Sequence, residues 1–268
     1  MEEIITNGIR IHFEADERET AELIRFACEK YVQMIHEEWG LEVPRECRIY
    51  VMTSWSQFIF QSAPWYGKFL LVISLPLWIF RVRRIWQFAG GWMLRYGKRC
   101  VVGVKPPRLI EMADRSMGER IFVKEESFEH KVPSITCHEL THAFTACLRL
   151  PMWLNEGVAM VMVDKFLGKA TVMESTLQAL QHSPNKPSPG TYQRVSVRDQ
   201  DALVYHYVRG YWITRYLIDT RPELLKNLLN RRQSHKPMED KIASSYEMDR
   251  KGFWAAIDDR VVTHFLTN

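Results

Sequence analysis

The chain has 268 residues, 46% of them hydrophobic and 25% charged, with 36 Lys plus Arg against 32 Asp plus Glu. That balance excludes a disordered, collagen-like or disulfide-scaffold protein, and the length suits one large domain or two lobes around a common cleft. The net charge of +4 conceals a split: Cys47 to Ile110 holds ten Lys and Arg but no Asp or Glu, so the other 204 residues carry −6.

From the N-terminus, ITNGIRIHFE (Ile5 to Glu14) contains an alternating apolar stretch and reads as a strand. The next segment carries apolar residues at Leu23, Ile24, Phe26, Ala27, Tyr31, Met34 and Ile35, a helical stripe that stops at Gly40. CRIYVMTS is a second strand. The acid-free stretch that follows contains five of the nine tryptophans (Trp55, Trp65, Trp78, Trp86 and Trp92), and only CVVGV near its end reads as a strand. PPRL is a breaker, and ERIFVKEE is a short strand candidate. A helix is expected from about Ser134, as N-cap after Pro133, to Arg149, ahead of Pro151. A second follows from Trp153 to Leu167 and ends at Gly168. Ser183 to Gln200 is a Pro- and Ser-containing loop long enough to suggest a flap. From Asp201 the pattern is helical to the end.

The opening MEEIITNGIR lacks the basic start and apolar run of a signal peptide. Five cysteines at irregular spacings, with no C-x-x-C pair, read as reduced and mostly buried thiols, so a cytoplasmic setting is expected. The longest uncharged apolar run, Phe69 to Phe80, has twelve residues and is interrupted by Pro76. It falls short of the roughly 20 residues that span a bilayer.

The most informative stretch is HELTH. His138 and His142 stand four residues apart, so on a helix both imidazoles project from one face and can share one ion. Glu139, one position on, can reach a water held by that ion without ligating it. After the Pro151 break, PMWLNEGVA puts Glu156 near the start of the next helix, where a tight turn can bring it back to face the His pair as a third ligand. An acid in so apolar a run needs a charge partner.

HELTHAF followed by PMWLNEGVA resembles the gluzincin clan of zinc metallopeptidases, in particular the peptidase MA-like families, which pair H-E-x-x-H with W-L-x-E-G-x-A. The resemblance implies that His138, His142 and Glu156 bind one Zn2+ and that Glu139 is the general base. It implies an α+β, thermolysin-like fold: an N-terminal lobe (1–150) with a mixed sheet and the active-site helix, then a helical C-terminal lobe (151–268). The motifs span Ser134 to Phe166, and the basic Trp-rich stretch near 55–105 has no counterpart and reads as an insertion. Two departures stand out. The acid that often follows the third ligand by one turn is replaced by Met160, so Asp164, Asn155 or a backbone carbonyl has to orient the histidines. The aminopeptidase signature G-x-M-E-N is absent, which favours an endopeptidase acting on peptide or protein substrates. By resemblance of YVRGYWITRYL to the tyrosine-led helix of these families, Tyr207 is the candidate oxyanion donor, with Tyr205, His206 and Tyr211 as alternatives. Arg209 could instead bind a substrate carboxylate. IFVKE (Ile121 to Glu125) would be the sheet edge on which a substrate adds as a strand. The rival readings are a zinc hydrolase of non-peptide amides or esters, and a non-catalytic module stabilised by zinc.

For the basic, Trp-rich segment three readings compete with a buried insertion bearing a cationic rim. Residues 65–92 could meet an anionic membrane surface, or form a helical wall of the cleft. Nucleic acid is the least supported partner, because no binding motif accompanies the arginines.

Overall fold

The turn Asn7–Gly8 has both residues at positive φ (48° and 77°), the geometry of a tight hairpin that Asn-Gly favours. The N-terminal segment is therefore two strands, β1 (Glu2–Thr6) and β2 (Ile9–Phe13), rather than the single strand its alternation suggests. Described here, by a computed structural model, are residues 1–125, 127–182, 199–230 and 234–267. Among them the fold is α+β, mostly helical with a five-stranded mixed sheet.

Strand order is β1-β2-β3-β5-β4, where β3 is Glu46–Val51, β4 Gly91–Tyr96 and β5 Arg99–Val104. The outer pairs are antiparallel and the central pairs β2–β3 and β3–β5 parallel. Alternate residues Ile9, Ile11 and Phe13 of β2 point inward and are buried, as the period-2 pattern requires. β5 is buried from Cys100 to Val104 on both faces, as expected for a central strand. Helix α1 (Arg18–Trp39) buries Ile24, Ala27, Tyr31 and Ile35 and ends at Gly40, whose φ of 65° suits a glycine.

The acid-free stretch is not an appendage. It supplies β4, β5 and nearly all of β3, together with α2 (Trp55–Ser62), α3 (Trp65–Ile73) and α4 (Leu75–Phe88). PPRL does not break the chain but starts α5 (Pro107–Ala113), since proline is accommodated in a first turn. IFVKE is not a strand of the sheet. Ile121 closes a one-turn helix, α6 (Glu119–Ile121), and Phe122 forms an isolated antiparallel bridge with Val172. The edge strands of the sheet are β1 and β4.

Helix α7 spans Phe128–Thr145, starting six residues ahead of the expected N-cap. Ser134 lies inside it and donates to the carbonyl of His130, whereas Ser127 Oγ accepts the Glu129 N–H at the true start. Pro133 lies inside the helix, one backbone donor short toward the Glu129 carbonyl, and the helix runs through it. Helix α8 (Met152–Leu167) ends at the left-handed Gly168, as predicted. There follow α9 (Thr176–His182), α10 (Gln200–Thr220), α11 (Pro222–Leu229), α12 (His235–Ser245) and α13 (Arg250–Thr267). The expected flap at Ser183–Gln200 lies, up to residue 198, outside the described residues.

The chain divides into two compact units. One comprises Met1–Glu38, Glu42–Arg120 and Lys124–Phe144 and holds the sheet, α1–α5 and nearly all of α7. The other comprises Trp39–Leu41, Ile121–Val123 and Thr145–Asn268 and is built around α8, which is buried on nearly every side. Here α8 and α10 cross in close contact. A Cβ on Gly157 would meet the Gly210 carbonyl oxygen at 2.2 Å, and one on Gly210 would meet the Trp153 carbonyl oxygen at 2.4 Å. Only glycine lets the two backbones approach so closely.

Candidate metal centre

Helix α7 is fixed to its own unit by bonds on the side away from the histidines. Thr141 Oγ1 shares a 2.6 Å hydrogen bond with the buried Tyr31 hydroxyl of α1, and Cys100 Sγ of β5 donates to the Ala143 carbonyl at 3.6 Å. Thr136, Cys137, Leu140 and Thr141 are buried on that side. One turn apart on the other side, the Nε2 atoms of His138 and His142 approach to 3.1 Å with their rings nearly perpendicular (88°).

Residues 146–151 lead from α7 into α8. Arg149 takes a positive φ of 55°, and the Pro151 carbonyl accepts the N–H groups of Leu154 and Asn155 to begin the new helix. Thr145 Oγ1 donates to Asn155 Oδ1 at 3.1 Å, fastening the last residue of α7 to the first turn of α8. Glu156 follows. One ligand atom from each of His138, His142 and Glu156 lies within 4.8 Å of the others.

This donor set could hold one divalent metal ion. Two nitrogens bound at about 2.0–2.1 Å to a tetrahedral ion stand roughly 3.4 Å apart, so the observed separation needs only a small ring rotation. Two imidazoles and a carboxylate offer three ligands, the number that leaves a fourth position open. Glu139 is buried, with 8% of its surface exposed, and projects from α7 beside the histidines. It lies against the start of β4: a Cβ on Gly91 would meet Glu139 Cγ at 2.4 Å and Oε1 at 2.9 Å, and one on Gly90 would meet Ile135 at 2.7 Å. The sequence reading missed Gly90 and Gly91. The signal was there, since a glycine pair entering a strand often marks a close backbone approach.

The remaining candidates are distributed along α10. Tyr205 donates to Asp258 at 3.3 Å, and Tyr211 donates to Asp164 at 2.6 Å, so both hydroxyls are committed to carboxylates. Burial pushes the Tyr205 phenol up to about 12. His206 is buried, and its imidazole is pushed down to about 4, by desolvation first and then by the Arg209 cation. Tyr207 is half-buried on the same helix and is not part of the His–His–Glu cluster. Arg209 is a fully buried cation paired with Asp258 at 2.8 Å and set over Trp254, which removes it as a substrate-carboxylate site. Asp164 is also spoken for. It accepts from the Thr171 N–H and hydroxyl, from Tyr211 and from Arg215, and so ties α8 to α10 instead of orienting a histidine.

No protein-family model matches the chain, and neither a curated protein nor a solved structure matches it.

Proposed function

We propose that the chain is a zinc-dependent peptidase of the gluzincin type with a thermolysin-like arrangement, acting on internal bonds of peptide or protein substrates. One observation carries the reading: the nitrogen pair of His138 and His142 converges with Glu156 while the adjacent Glu139 is left out of the ligand cluster. A purely structural zinc site usually closes its fourth position with a protein ligand and has no use for a neighbouring carboxylate.

His138, His142 and Glu156 would hold the ion, which when bound supplies Lewis acidity and lowers the pKa of its water to about 7. Glu139 would serve as the base, its carboxylate taking a proton from the attacking water and passing it to the departing amine. Burial of Glu139 keeps bulk water from competing for that proton. β4 supports the choice of substrate class. Among the described residues it pairs on one edge only, with β5, and its first residue lies against Glu139, so an extended peptide could add to the other edge beside the base. Tyr207 is retained as the proposed oxyanion donor, because Tyr205 and Tyr211 are bound to carboxylates.

The test combines metal analysis with a peptide-library digest. Wild type should hold about one zinc per chain and cleave peptides in a chelator-sensitive way. His138→Ala should lose the metal. Glu139→Gln should keep it and lose hydrolysis by at least about a hundredfold, the range of a missing general base. Freshly purified protein without zinc, or full turnover by Glu139→Gln, overturns the proposal. Hydrolysis of simple esters or amides with no peptide cleavage would favour the non-peptidase reading.

A further inference from the structure

The outer surface of α3 and α4 is the part of the molecule that the peptidase reading leaves unused. We infer that it is a docking surface for an anionic lipid bilayer.

The two helices are anchored from one side. Leu71, Trp78, Trp86 and Val82 pack on a cluster formed by Tyr50, Met52, Phe58, Ile59 and Val101, and Trp55 meets Trp78 edge-on. Their other side is apolar and uncovered. Trp65, Phe69, Leu70, Ile73, Leu77 and Phe80 are each 63–88% exposed, and α3 buries none of its residues. Eight of the fifteen large apolar residues exposed among the described residues fall between Trp65 and Phe80. Singly scattered apolar side chains need no explanation, but a contiguous patch of this kind marks an interaction surface.

Charge identifies the partner. On α4, Leu77, Phe80, Arg81 and Arg84 recur at helical spacing, so one exposed stripe changes from aliphatic and aromatic to cationic along its length. Lys68 and Arg83 add exposed charge, and no acid occurs anywhere in the acid-free segment to neutralise it. Apolar side chains entering the acyl boundary, with arginines at the depth of anionic head groups, are the pattern of an interfacial helix. The helices have nine and fourteen residues, and no described helix is long and apolar enough to cross a membrane. The contact would thus lie in the interface. A second copy of the chain fits less well, because the same segment, holding no acid, would offer Arg81 and Arg84 no counter-charge. Nucleic acid would satisfy the arginines but leave the patch of Phe, Leu and Ile in water.

Co-sedimentation of the full chain with phosphatidylcholine vesicles, with and without about 30% phosphatidylglycerol, tests the inference. Binding should require the anionic lipid, fall as salt rises, and shift the emission of the exposed Trp65 to the blue. The triple variant Phe69→Ser, Leu77→Ser, Phe80→Ser should lose at least about tenfold in partitioning while keeping the wild-type melting temperature, since those side chains touch solvent. Arg81→Gln with Arg84→Gln should weaken binding to anionic vesicles about thirtyfold, at about 1 kcal/mol per cation. Glu139→Gln should bind as wild type does, so the result is independent of the peptidase reading. Equal partitioning of wild type and the triple variant overturns the inference. So does a concentration-dependent dimer that the triple variant dissolves, or duplex DNA binding with no vesicle binding.

Discussion

Gly157→Ala tests whether the glycine of the W-L-x-E-G-x-A block is there for space. The added Cβ would stand 2.1 Å from Thr214 Oγ1, 2.2 Å from the Gly210 carbonyl oxygen and 2.7 Å from its carbon, where ordinary contact begins at 3.4 Å. The hydroxyl can turn away, but it is already held by the same Gly210 carbonyl at 2.8 Å, and that carbonyl belongs to the backbone of α10. Relief therefore requires α8 and α10 to part by roughly 1 Å over a tightly packed crossing. Overpacking of this kind costs about 1–3 kcal/mol, and a colliding backbone atom puts the value near the top. Alanine's better helix propensity returns about 1 kcal/mol, leaving a net loss of about 2 kcal/mol. At about 2–4 °C per kcal/mol for a chain of this size, the melting temperature should fall by about 4–8 °C. Because Glu156, a proposed metal ligand, precedes the substituted residue, metal affinity should fall as well. Adding Thr214→Ala should restore only part of the stability, since the carbonyl contact remains. Calorimetry and urea unfolding measure the first effect, and a chelator competition the second. Wild-type stability in Gly157→Ala, or full restoration by Thr214→Ala, would refute the close-crossing argument.

If the chain is the proposed peptidase, Gly91→Ala should displace Glu139, whose Cγ a Cβ would meet at 2.4 Å, and reduce kcat about a hundredfold, as expected for about 1 Å of misplacement, with the metal content unchanged. Asp164→Ala strips a buried acceptor from Tyr211 and Thr171 and should destabilise by about 3 kcal/mol in urea unfolding. Lys105 is buried, donates to the Trp86 carbonyl and lies over the Trp86 ring, and desolvation pushes its ammonium down to about 8 from 10.5. Between about pH 8 and 10.5 the unfolded chain then binds more protons than the folded one, so stability should rise with pH across that window. Lys105→Met should flatten this rise in melting temperatures taken from pH 8 to 10.5.

Much of the candidate site was legible because its determinants are local. The four-residue spacing of His138 and His142, the Pro151 break and Gly168 act within a few turns of helix, and the structure follows them at each point. The start of α7 is obscured in the sequence because Ser134 after Pro133 mimics a cap, whereas Ser127, seven residues earlier, makes the bond. The alternation of ITNGIRIHFE suggests one strand, and the Asn-Gly turn inside it divides it into two. The identity of the sheet edge was not legible at all. IFVKE and GWMLRY are both short and apolar, and only pairing with β5 makes the second a strand of the sheet.

The same division runs through the chemistry. The residue order alone determined which groups can ligate a metal, where the helix carrying them turns back, and that a ten-cation segment lacks any acid. Tertiary structure decided the rest: that Asp164, Tyr205, Tyr211 and Arg209 are spent on buried bonds, that Gly91 and Gly157 are needed for space, and that α3 turns its apolar face outward. Helical spacing is set by backbone geometry within a few residues. Which face is buried, and which polar group finds a partner, depends on contacts between segments far apart in the chain.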